Sequence, residues 1–263
     1  MSDRVEITVD DHIANVELNR PDKFNALDLE MFYALDAAAR ELAADRTVRA
    51  VILSGAGENF CAGIDLGMLQ SGGADIATKL LSPVEGSAAN LAQRAGYAWR
   101  ELQVPVICAV QGVAFGGGFQ IAMGADLRYA APDSRFSIME SKWGMIPDMG
   151  ISATLRGLVT PDQAKELAFT GGVIGAEEAL RLGIITRIES DPATAARSLA
   201  ETIRDKSPDA IRGIKRLVNE AWSMSEVDSL ALEASIQKSL MGSPNQIEAV
   251  LSNLQKRKPV FAE

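Results

Sequence analysis

The chain has 263 residues, 47% of them hydrophobic and 23% charged, a balance that fits one large folded domain and argues against long disordered stretches. Its formal net charge is −9, which argues against a nucleic-acid partner, although a few Lys and Arg side chains can still hold a small anion. No apolar run reaches the roughly 18 residues of a membrane span and the first residues have no apolar signal core, so a cytoplasmic location is expected.

Two alternating runs, 5–9 and 13–18, flank the polar Asp10-Asp11-His12 and predict a hairpin. His12 is the one histidine in the chain, and in such a turn it reads as a surface residue, so histidine-dependent nucleophilic catalysis is disfavoured. Asp28 can cap a helix whose apolar stripe is Met31, Leu35, Ala38 and Leu42. Residues 48–54 read as a buried strand, and a glycine turn follows, Asn59-Phe60-Cys61-Ala62-Gly63-Ile64-Asp65-Leu66. Residues 71–74 read as loop, and 76–103 as mostly helical with a break near Pro83 or Gly86. So long a segment beside a candidate site suits a cover over it.

A second buried strand, 105–110, leads into a second glycine turn, Gly112-Val113-Ala114-Phe115-Gly116-Gly117-Gly118-Phe119-Gln120, and a short helix through Ile121 and Met123. Short strands are expected at 126–130 and 135–139, then a loop from Glu140 to Asp148 and a helix over about 150–159, for which Asp148 can be the N-cap. Pro161 opens another helix, 176–182 is helical and 183–188 is a strand. The remaining chain reads as four helices at 195–205, 208–222, 226–241 and 244–256. The predicted organisation is an α/β core over 1–191 and a helical region over 192–263 that packs on the core or on a neighbouring subunit. Cys61 and Cys108 sit in apolar or glycine-rich runs and read as buried thiols; no cysteine or histidine spacing suggests a metal.

Glycine lets backbone N–H groups face a ligand where a side chain would block them. Two such turns side by side can aim two donors at one oxygen, which is what an oxyanion hole requires.

At these turns the chain resembles the crotonase superfamily, the enoyl-CoA hydratase/isomerase family. The resemblance runs through Arg20-Pro21 with Asn25-Ala26-Leu27, Phe60 to Leu66, Gly112 to Gly118, Phe136 to Pro147, and the closing Lys256-Arg257-Lys258-Pro259-Val260-Phe261. It implies a spiral of ββα units with a C-terminal helical region, homotrimers often paired into hexamers, and an acyl-CoA thioester as substrate. By position, the backbone N–H groups of Ile64 and Gly117 would form the oxyanion hole. Coenzyme A would lie along Ala62, Ile64, Asp65 and Leu66, with Lys23 and Asn25 on the nucleotide side. No metal or redox cofactor is expected, because coenzyme A belongs to the substrate.

The family's hydratases use two glutamates, and here the first position holds Gln120 while Glu140 keeps the second. An amide neither takes nor gives a proton at working pH. Asp148, eight positions after Glu140, matches an acid of relatives that shift double bonds in dienoyl-CoA substrates. The expected reaction is therefore double-bond isomerisation, with Glu140, Asp148 and Gln120 as site residues. Hydration by Glu140 with water placed by Gln120, or acyl-CoA binding with little catalysis, remain the alternatives. Trp143 can wall the acyl pocket, and one of Arg20, Lys23 or Lys256 to Lys258 can meet a CoA phosphate.

Overall fold

The computed structural model describes residues 3–263, apart from the side chains at 69 and 71–74. Strand β1 (Val5–Asp10) pairs antiparallel with β2 (Ile13–Leu18). Asp11 and His12 turn the hairpin with φ of 47° and 65°, the left-handed geometry that matches the twist of the two strands. His12 points its Nδ1 at Thr47 O, 2.9 Å away at the surface. Helix α1 (Leu29–Ala44) is capped by Asp28, which accepts from Met31 N at 2.9 Å, and it buries the predicted stripe. The chain continues through β3 (Ala50–Gly55), α2 (Leu66–Leu80), α3 (Leu91–Glu101), β4 (Val106–Val110), β5 (Val113–Phe115), α4 (Gly117–Gly124), β6 (Leu127–Ala130) and β7 (Arg135–Ser137). After a 3-10 turn, Glu140–Trp143, come α5 (Ile151–Thr154), α6 (Pro161–Thr170), β8 (Ile174–Gly175), α7 (Ala176–Arg181), β9 (Arg187–Ile188) and the helices α8 (Pro192–Arg204), α9 (Pro208–Ala221), α10 (Glu226–Leu240) and α11 (Pro244–Leu254).

Six strands form one sheet in the order β1-β2-β3-β4-β6-β9, parallel from β2 onward. A second, thinner layer is stitched beside it. Leu27 bridges Ile64, Cys61 bridges Ala114 of β5, β5 pairs β7, and β7 pairs β8. Each of β2, β3, β4 and β6 is thus followed by a short segment in the second layer, which is the expected spiral of ββα units. Parallel strands covered on both faces read as unbroken apolar runs, as β4 does, with every residue buried. One face of the sheet joins Val51, Leu53 and Cys108 to the core under α1 and α3. The other joins Ile13, Ile52, Ile107 and Tyr129 to Ala196 and Ala200 of α8.

Helix α9 is tied to the core by one charge. Lys215 Nζ donates to Trp99 O at 3.1 Å and Val104 O at 2.9 Å and pairs with Asp126 at 2.7 Å. By contrast, α10 buries none of its residues within the chain. No helix among the described residues is long and apolar enough to cross a membrane.

Four expectations are corrected. Residues 71–74 are helical, because α2, capped by Asp65, runs unbroken through them despite the glycines. The helix expected over 150–159 is only α5, since Gly157, at φ 82°, and a bridge between Arg156 and Val159 turn the chain away. Asp148 is not its N-cap, because Gly150, left-handed at φ 88°, stands between them and holds the cap position itself. The strand at 183–188 shrinks to β9, where only Arg187 and Ile188 reach the ladder of β6.

Helices α3 and α4 touch through glycine. A methyl group on Gly124 would fall on Gly96 O, and one on Gly96 would fall on Met149 O, both well inside van der Waals contact. Gly124→Ala should therefore destabilise the chain by about 1–3 kcal/mol, as overpacked cores do. The effect should appear as a lower urea midpoint at unchanged slope. A midpoint equal to that of the parent chain would mean that the two helices can separate freely.

Candidate active site

The two glycine turns lie back to back. Phe60 N donates to Gln111 O, Cys61 N to Val113 O and Phe115 N to Cys61 O, at 2.9, 2.9 and 3.0 Å. These bonds hold the first turn along β5. Gly63 then needs to be glycine: its φ is 89°, and a Cβ would stand 2.6 Å from Phe115 O and 3.3 Å from Gly117 N. Gly117 opens α4 and is just as confined, since a Cβ would meet Leu27 Cδ1 at 2.7 Å and Met149 Sδ at 2.9 Å. Leu27 N and Asp65 N take up the bonds on either side of Ile64. Among the described residues, neither Ile64 N nor Gly117 N meets an acceptor, and both residues line the same cavity.

That cavity encloses about 510 Å³. Its walls are apolar: Phe32 from α1, Met68, Ile76 and Leu80 from α2, and Trp143 and Met145 beyond β7. Among the described residues, its titratable groups are two carboxyls, Glu140 and Asp148, and no lysine, arginine or histidine lines it. Glu140 reaches it because Gly116 N bonds Ser137 O at 2.9 Å, which carries the start of the 3-10 turn past α4. Gly144, left-handed at φ 71°, ends that turn.

Glu140 is 7% exposed and Gln120 1%. Gln120 Nε2 donates to Glu140 Oε1 at 2.6 Å, and Met149 N donates to Gln120 Oε1 at 2.8 Å. Glu140 Oε2 is buried without a partner among the described residues. Burial pushes the Glu140 carboxyl above its usual range; the Gln120 hydrogen bond pulls it back and the charge of Asp148 pushes it further up. Asp148 lines the cavity but is exposed, and the partial desolvation it meets there still raises its carboxyl.

The structure brings together Ala62, Ile64, Leu66, Gly117, Gln120, Glu140, Trp143 and Asp148 around one cavity. Other predicted residues stand aside. Asn25 is fully buried, its amide donating to Ala56 O and Asn59 O at 2.9 and 2.8 Å, so its side chain holds the first turn rather than facing the cavity. Asp65 caps α2 through Gly67 N and binds Arg20 at 2.7 Å. Lys23 is exposed in a short 3-10 turn, Pro21–Lys23. Arg257 is engaged by Glu248 at 2.7 Å. Both cysteines are buried, and burial pushes the Cys61 thiol up to about 12. The Met149 amide escapes sequence reasoning because a backbone donor leaves no mark in residue type.

Comparison with known proteins gives the family and the fold. The enoyl-CoA hydratase/isomerase family profile matches residues 8–263. A peroxisomal Delta(3,5)-Delta(2,4)-dienoyl-CoA isomerase of Arabidopsis thaliana is 32% identical, covering 97% of this chain and 94% of its own. A carnitinyl-CoA dehydratase of Escherichia coli O157:H7 is 34% identical over 99% of both chains. The crystal structure of an enoyl-CoA hydratase from Bacillus anthracis superposes with a TM-score of 0.88 at 25% identity, over 98% of both chains. The fold and site thus define a crotonase-type enzyme. The chain belongs to the enoyl-CoA hydratase/isomerase family.

Because Asp148 adds to the upward push on Glu140, Asp148→Asn should let Glu140 ionise at lower pH. Titration of the 13C-labelled glutamate carboxyls by NMR checks this. A Glu140 titration that stays put or moves upward would show that the two carboxyls are not coupled.

Proposed function

We propose that this enzyme moves a double bond in an enoyl- or dienoyl-CoA thioester. The observation that carries the reading is the pairing inside one apolar cavity of Glu140, with a bare Oε2, and Asp148 as the second carboxyl, while Gln120 spends both ends of its amide on Glu140 and Met149. Glu140 Oε2 removes a proton beside the thioester carbonyl. The charge moves to the thioester oxygen, where the N–H groups of Ile64 and Gly117 receive it, each donor worth about 2.7–4 kcal/mol in such a hole. The proton returns farther along the conjugated chain, from Glu140 or from Asp148. No atom is gained or lost, and proton transfer with charge stabilisation needs no metal or redox group. Relatives named as a dienoyl-CoA isomerase and as a carnitinyl-CoA dehydratase stand at similar identity, so the choice over hydration rests on Gln120, whose amide transfers no proton.

Coenzyme A would run along the backbone of Ala62, Ile64 and Leu66 toward Asp65, with Lys23 and Asn25 on the nucleotide side. A homo-oligomer, a trimer or a pair of trimers, is supported by the apolar side chains that α10 leaves bare, Val227 at 77% and Leu230 at 65% exposure.

Incubation with 2-enoyl-, 3-enoyl- and 3,5-dienoyl-CoA in deuterated water, followed by mass spectrometry, tests the reaction. Deuterium uptake with a displaced double bond is expected from the 3-enoyl or 3,5-dienoyl substrate. Water added to 2-enoyl-CoA would instead make the enzyme a hydratase, and no change in any substrate would leave an acyl-CoA binder. Glu140→Gln should lower kcat about 10²–10⁴-fold, the usual worth of a general base. In the parent enzyme, burial of Glu140 should place the acid limb of kcat/KM above the ordinary carboxylate range, with activity lost as pH falls through it.

A further inference from the structure

The polar end of the cavity holds a hydrogen-bond chain whose direction is set by its first member. The Met149 N–H can only donate, so the atom facing it at 2.8 Å is the Gln120 carbonyl oxygen. The amide orientation is then fixed, and Gln120 Nε2 turns to Glu140 and donates to Oε1 at 2.6 Å. Glu140 Oε1 is therefore an acceptor in both protonation states. A proton taken up by Glu140 belongs on Oε2, the oxygen with no partner among the described residues. Gly116 closes the other side, its missing Cβ lying 3.4 Å from Oε1.

We propose that Gln120 is a positioning residue that presents Oε2 alone to the substrate and keeps Glu140 as the one proton-exchanging group at the inner end of the cavity. This rests on Glu140 being the group that moves the proton. A glutamate at position 120 could not serve in the same way. It would accept from Met149 N–H with one oxygen and set the other against Glu140 Oε1. Two carboxyls so close share a proton, and their titration belongs to the pair. The proton would then sit between the side chains instead of on Oε2. With the amide in place, the Gln120–Glu140 pair holds a single transferable proton on one oxygen, which suits carrying a proton from one carbon to another.

The variants Gln120→Met and Gln120→Glu test this, with Glu140 followed by 13C carboxyl NMR and assigned by its loss in Glu140→Gln. Gln120→Met removes the donor at similar volume, so Glu140 should ionise at higher pH and kcat should fall about tenfold or more, with little change in KM. Gln120→Glu keeps an acceptor for Met149 N–H, which protects the fold. It should split the titration into two coupled steps, the upper one above that of the parent. A Glu140 titration unchanged in either folded variant overturns the proposal, as does a loss confined to KM. The titration is read without substrate, so it decides the role of Gln120 separately from whether any enoyl-CoA is turned over.

Discussion

The contact between α3 and α4 is the constraint on which the site depends. Every residue of α4 is buried, and its two flanks are backbone surfaces: Cys61 O lies where a Cβ of Gly118 would stand, and Gly96 O where a Cβ of Gly124 would stand. A helix held at that separation has no freedom to turn about its axis. Gln120 therefore points one way, Gly117 opens onto the cavity, and Met149 is pressed between Gly96 and Gly117. Packing of this kind converts glycine, ordinarily a weak helix residue, into the element that sets the precision of the site.

The cavity also lacks any positive side chain among its lining residues, although it holds two carboxyls. Negative charge there faces neutral dipoles: the Gln120 amide, which donates to Glu140, the N-terminus of α4, and the Ile64 N–H, which meets no acceptor among the described residues. Such dipoles are fixed before substrate arrives and need no reorganisation as charge develops. A lysine or arginine would instead hold Glu140 in its ionised form and weaken its capacity to carry a proton.

Much of this was legible in the sequence, for physical reasons that differ by element. The glycine turns declare themselves because no other residue fits Gly63 or Gly117. The last three helices were placed to within two residues at each end, since Ser207, Ser225 and Ser243 cap them and Pro208 and Pro244 open two of them. Helix α8 begins earlier than its apolar stripe suggests because Asp191 caps a turn that starts at Pro192. Positions set by long-range contact were hidden. Residue type gives no sign that the Asn25 side chain is a buried brace between Ala56 and Asn59. The engagement of Gln120 on both sides depends on a backbone amide 29 residues away.

The ammonium group of Lys215 has a consequence of another kind. Its three protons are matched by three separate oxygens, from Trp99, Val104 and Asp126, which converge from the end of α3 and the two ends of the β4 to α4 segment. A planar guanidinium cannot address three such points from one atom. Sliding α9 by a single turn would strand a buried cation, at a penalty of several kcal/mol. Lys215 thus works as an index pin. It sets the register of the C-terminal helices against the very helix that flanks the active site, so a surface formed by α9 and α10 and the chemistry under α3 are mechanically referenced to one another.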